Sequence, residues 1–192
     1  MTKVFAKGLM MSEDVQSYVV SAKFYDTEGD AAEINDGAFL VLGDLDANVV
    51  YGTNDYNVYK ATAPTADNQV VVVADLAEIS QGVIAGNNYK LGVKTTDLIC
   101  RPGFPFRVRR LALGDKFWLG EGNFTEAPNG KAYATCVGGD TRLAPTVDMP
   151  YGGKFGIKII ATKDMVKGQT VDKNAAGAYE QQYLCEVISL RS

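Results

Sequence analysis

The sequence predicts an all-β protein: a sandwich or barrel of many short antiparallel strands, with helix confined to short turns. Three observations carry this. Apolar and polar residues alternate at period 2 in segment after segment. Turn-formers interrupt those segments at roughly 8–12-residue intervals. Glycine supplies 20 of the 192 residues, above the usual share of about 7%.

In chain order, strands are expected at Val4–Leu9, Tyr18–Tyr25, Ala38–Leu42, Asn57–Ala61, Gln69–Ala74, Tyr89–Lys94, Phe106–Leu113, Lys116–Leu119, Lys131–Cys136, Phe155–Thr162 and Tyr183–Leu190. The breakers between them are Glu28-Gly29-Asp30, Asn35-Asp36-Gly37, Gly86-Asn87-Asn88, Pro128-Asn129-Gly130, Gly138-Gly139-Asp140 and Gly152-Gly153. Asn129-Gly130 is a hairpin signal, because both central positions of a type I′ turn need positive φ. Phe155, Ile157 and Ile159 alternate with Gly156 and Lys158 as one face of an amphipathic strand. Only Asp75–Gln81 and Lys163–Lys167 look briefly helical.

The segment Gly103–Gly120 is the most informative. It reads strand, turn, strand, and carries Arg107, Arg109, Arg110 and the single tryptophan, Trp118. Phe106 and Val108 are expected to point one way and Arg107 and Arg109 the other. After Arg109-Arg110 the phase slips, with Leu111 and Leu113 taking over the apolar face, the sequence signature of a β-bulge. Gly114-Asp115 then turns the chain.

The acidic loops of the first half give way near Thr95–Gly103 to a Pro-Gly-x-Pro turn and basic residues. This predicts an N-terminal β region (1–98) and a C-terminal β region with the basic strand (99–192), as two subdomains or as one continuous domain.

With 46% hydrophobic residues the chain can bury a core. The net charge of −4 argues against general nucleic-acid binding, which relies on neutralising phosphates. No apolar run approaches the roughly 18 residues of a membrane span. The start, Met1–Lys7, lacks an apolar stretch and a small-residue cleavage site, so cytoplasmic synthesis is expected.

There is no histidine, which removes the usual general base for a Ser or Cys nucleophile. Cys100, Cys136 and Cys185 are widely separated, with no Cys-x-x-Cys pair, so no zinc site is expected. Buried hydrophobes describe them better, Cys185 above all. Glu121, Glu126, Asp140 and Asp148 are the acids from which a two-carboxylate glycosidase would be built. All four lie in Gly- and Pro-rich stretches where acids serve as turn-formers, and that reading is preferred. Asp44-Leu45-Asp46-Ala47-Asn48 offers oxygens for calcium but lacks EF-hand spacing, so an exposed turn is preferred. Asn123-Phe124-Thr125 matches a glycosylation sequon, without a secretory signal to make it meaningful. No catalytic residue, cofactor site or metal site is expected.

Arg101, Arg107, Arg109 and Arg110 fall within ten residues. They read either as a solvated strand face that blunts an edge or as a docking ridge for an acidic protein surface, since Arg pairs carboxylates bidentately.

Ser17–Val20 with Lys23–Tyr25, Asp36–Gly43, Val58–Pro64, Gly103–Gly120 with Asn123-Phe124, Lys158–Ala161 and Tyr183–Val187 together resemble head auxiliary (decoration or cement) proteins of tailed bacteriophages, in layout and over most of the chain. The resemblance implies a virion protein on the capsid exterior, without catalytic residues, whose partner is the major capsid protein. It also implies a homo-oligomer, often a trimer. Independently, so many short strands leave edges unpaired, and closed symmetric assembly with Phe- and Tyr-bearing strand edges at the seam would cover them. Arg101, Arg107, Arg109 and Arg110 are then the candidate capsid-docking residues. Changing Arg107 and Arg109 together to Glu is expected to abolish docking while leaving the fold intact. The other reading is a carbohydrate- or receptor-binding β-module of a phage fibre or baseplate, with Tyr51, Tyr56, Tyr59 or Trp118 as stacking platforms.

Overall fold

A computed structural model describes residues 19–46, 58–65, 71–76, 82–84, 87–89, 99–150, 154–166 and 179–190. The protein is all-β, as expected. Val19–Phe24 (β1), Phe39–Leu45 (β3), Val58–Thr62 (β4), Val71–Ala74 (β5) and Phe106–Arg110 (β9) close into a barrel in the order β1-β4-β3-β5-β9. Its ladders are antiparallel except β1–β4, which runs parallel.

Lys116–Gly120 (β10), Tyr133–Cys136 (β11), Leu143–Thr146 (β12), Gly156–Val166 (β13) and Tyr179–Ser189 (β14) form a five-stranded antiparallel sheet in the order β10-β14-β13-β11-β12. Two small ladders complete the strands among the described residues: Ile34–Asn35 (β2) with Ile99–Cys100 (β8), and Gly82–Ile84 (β6) with Asn87–Tyr89 (β7). The only helical turn among the described residues is the 3-10 segment Glu121–Asn123.

The barrel interior is filled by Ala22, Leu40, Ala61, Val72, Phe106 and Val108. A second cluster lies between the barrel and the sheet. There Phe39, Val71 and Val73, on the barrel's outer side, meet Phe117, Leu119, Ile157, Tyr183 and Cys185. Phe39 is the hinge pin of this layer, its ring 6.2 Å from Phe117 and 5.7 Å from Phe155. β5 reads Val-Val-Val-Ala because both of its faces are buried.

The chain changes sheets between Arg110 and Lys116, beyond the Thr95–Gly103 seam expected from composition. β9 and β10 are therefore not a hairpin. The turn between them is real: Asp115 N donates to Ala112 O (3.2 Å), Gly114 has φ +86°, and the Asp115 carboxylate accepts from Ala112 N. The bulge expected after Arg110 is absent because the strand simply ends there. Leu111 is buried, but Leu113 is 58% exposed and takes no part in the apolar face.

The Asn129-Gly130 turn forms with positive φ at both residues, closed by Lys131 N donating to Pro128 O. It leads into β11, whose partners are β12 and β13 and not the preceding strand. Lys163–Val166, expected as helix, belongs to β13, held there by its pairing to Tyr179–Gln182 of β14. Asp75 and Leu76 are not helical; residues 77–81 and the strand expected at Val4–Leu9 lie outside the described residues. Of the strand expected at Tyr89–Lys94 only Tyr89 is described, ending β7, and the breaker residues Asn87 and Asn88 are part of that strand.

Candidate docking surface

Period 2 places the β9 side chains as the sequence predicts. Phe106 and Val108 are buried inside the barrel, and Arg107 and Arg109 point outward. Their environments differ. Arg109 Nε donates to Asp75 Oδ2 at 2.7 Å and its side chain is 34% exposed. Arg107 Nη2 comes only to 3.9 Å of the same oxygen and its side chain is 51% exposed. Asp75 is itself buried and continues the β5–β9 ladder, its N–H donating to Arg107 O.

Arg110 lies opposite Val72, whose side chain is inside the barrel. It therefore falls on the other face from Arg107 and Arg109, half-buried. The four arginines do not form one ridge.

Arg101 is exposed and opens a β-turn, Arg101–Phe104, in which Phe104 N donates to Arg101 O at 3.2 Å. Pro102 presets φ at the second position and Gly103, φ +76°, occupies the third, where a type II turn needs positive φ. Cys100 packs against the barrel core and its Sγ donates to Phe104 O at 3.4 Å. Burial raises the Cys100 thiol above its usual range, which keeps it a neutral donor. The turn carries Phe104, 63% exposed, and the preceding strand β8 carries Ile99, 52% exposed. Neither was among the sequence candidates. The Pro-Gly-x-Pro motif marked the turn, and the aromatic inside it was the signal to weigh.

The four candidate carboxylates are dispersed. Glu121 opens the 3-10 turn, Glu126 pairs with Lys131, and Asp148 is exposed. Asp140 is gripped by Arg142 through Nε (3.0 Å to Oδ1) and Nη2 (2.7 Å to Oδ2), and this hydrogen bonding holds its carboxyl below the usual range.

In the candidate calcium segment, Asp44 is exposed but Asp46 is buried, correcting the expectation of an exposed turn there. Asp46 accepts from Tyr25 Oη (2.9 Å) and lies 3.4 Å from Lys23 Nζ. Residues 47 and 48 lie outside the described set. Among the described residues, no group of three His, Cys, Asp or Glu is placed to hold a metal ion, and no helix is long and apolar enough to cross a membrane.

Asn123 of the sequon is buried. Its Nδ2 donates to Asp36 O and its Oδ1 accepts from Gly120 N, tying the 3-10 turn to the barrel rim. Of the stacking platforms, Tyr51 and Tyr56 lie outside the described residues, and Tyr59 packs on the barrel core. Trp118 is half-buried on the outer face of β10, with Lys163 Nζ 4.0 Å from its ring centroid. A register shift between Ile159 and Ala161 turns Lys163 to that face.

No protein-family model, curated protein or solved structure matches the chain.

Proposed function

We propose that this chain is a non-enzymatic structural protein of a phage virion that binds the outside of the capsid shell and stabilises it, working as a homo-oligomer, most simply a trimer. The observation that carries the reading is the surface around Arg101–Arg107. A braced turn holds an aromatic and an arginine out in water, with a second exposed arginine two residues past the closing proline. Aromatics and Arg are the residues enriched at the centres of protein interfaces. The sequence's resemblance in layout to head auxiliary proteins suggests the shell as the partner, and the all-β architecture fits it.

The docking set narrows to Arg101 and Arg107. Arg109 is committed to Asp75, and Arg110 is on the other face. The test is co-sedimentation with shells assembled from a tailed-phage major capsid protein. Saturable binding that weakens as salt rises supports the proposal, because exposed charges are screened over about 8 Å at physiological ionic strength. Protein left wholly in the supernatant at low salt would refute it.

A further inference from the structure

We infer that Phe104 is the apolar anchor of this surface and that its occupant is a folded protein surface, an apolar pocket rimmed by carboxylates. The inference rests on the shell-binding reading and assigns the chemistry of the contact.

An exposed aromatic on a loose loop would be unremarkable. Phe104 is different because its backbone is fixed on every side. Pro102 and Pro105 preset their own φ, and Pro105 also restricts the residue before it. Gly103 takes the positive φ, Phe104 N–H closes the turn onto Arg101 O, and the Cys100 thiol holds Phe104 O from below. Cys100 is in turn held by the β2–β8 ladder, opposite Ile34 of the barrel core. The ring is thus presented in water by a preformed scaffold, so docking loses little loop entropy.

The charge around the ring selects the partner. Residues 99–107, Ile-Cys-Arg-Pro-Gly-Phe-Pro-Phe-Arg, contain two arginines and neither acid nor lysine, in a chain of net charge −4. Arg101 and Arg107 make this stretch positive, with Asp75 standing 3.9 Å from Arg107, so the complementary surface is acidic at its rim and apolar where Phe104 enters. A nucleic-acid partner is disfavoured because the remaining surface would repel a polyanion.

The experiment places the photo-crosslinking analogue benzoylphenylalanine at position 104 and, separately, makes Phe104→Ala, Phe104→Trp and Arg101→Glu. Circular dichroism and thermal melting should be unchanged, since Phe104 is 63% exposed. Irradiation with shells should join the chain to the shell subunit. Phe104→Ala should weaken shell binding about thirtyfold, the size of an interface hot spot, and Phe104→Trp should restore it to within about threefold. Arg101→Glu should weaken binding most at low salt.

If the parent protein sediments with shells and Phe104→Ala does so with equal affinity, the anchor is overturned while shell binding stands. An adduct to a second copy of the chain, or no adduct on bound protein, overturns it as well. If the parent protein does not bind shells, both readings fall together.

Discussion

Arg109 holds the Asp75 carboxylate at 2.7 Å, across a sequence separation of 34 residues, while Arg107 on the same strand face reaches it only at 3.9 Å. Two arginines that look equivalent in sequence therefore have different work. One closes the junction of β5 and β9; the other faces solvent.

Arg109→Ala should accordingly destabilise the protein by about 1–3 kcal/mol, because a buried carboxylate loses its nearest cation. Arg107→Ala should stay within about 0.5 kcal/mol. Urea denaturation measures both, and equal costs would contradict the division. It follows that the double change of Arg107 and Arg109 to Glu perturbs folding as well as docking, contrary to the sequence expectation. Arg101 with Arg107 is the cleaner pair.

Phe39→Ala should cost about 3–5 kcal/mol, the range for truncating a buried aromatic. Phe39 is fully buried and touches Phe117 and Phe155 across the layer between barrel and sheet. The same substitution at Phe104 should be nearly silent in stability. A small loss at Phe39 would show that the barrel and the sheet do not depend on one another.

Burial pushes the Cys136 thiol up to about 12 from its ordinary value of 9.0, and it raises Cys185 as well. Both groups stay protonated in the native state where the unfolded chain ionises. Their contribution is fully present below pH 9, the unfolded value, and is lost as pH rises from there toward 12. The slope is about 1.4 kcal/mol per pH unit for each thiol in that window. Urea midpoints between pH 8 and 11 check the fall, and replacing Cys136 with Ala should make it shallower by one thiol's share, the Cys185 share remaining. A midpoint that is flat in the parent protein contradicts the burial.

Several features were legible because they are local. The alternation of Phe106 and Val108 with Arg107 and Arg109 is a period-2 pattern, and β9 obeys it. The turn at Asn129-Gly130 follows from backbone chemistry that those residues carry anywhere. Other features depend on pairing across the fold. β12 escaped notice because Pro145 in its middle argues against a strand, yet an edge position tolerates a residue without an N–H. Lys163–Val166 has weak local preference and is extended only because β14 pairs with it. Asp75, the residue that sorts the arginines, is invisible as a partner until β5 and β9 are side by side. The candidate docking set was half legible for the same reason: composition marked the arginines, and only the fold pairs Arg109 with Asp75 and puts Arg110 on the other face.

Assembly should be a trimer on the shell. Unpaired strand edges argue for it less strongly than the sequence suggests, because the barrel is closed, leaving β10 and β12 as the outer strands of the larger sheet. Light scattering on the free protein and image reconstruction of decorated shells give the stoichiometry. A monomer bound at isolated positions on the shell would exclude the trimer; a monomer in free solution alone would not.

Shell reinforcement is the central claim, and the rupture temperature of shells with and without saturating protein tests it most directly. A ligand that binds only the assembled state stabilises it by about 2.7 kcal/mol per site at one hundred times its Kd, and this repeats over the lattice. Decorated shells should rupture several degrees higher, with the gain shrinking as salt rises and cut to about a third in Phe104→Ala at the same concentration. Shells that are saturated with the protein yet rupture at the temperature of bare shells would contradict the cementing role.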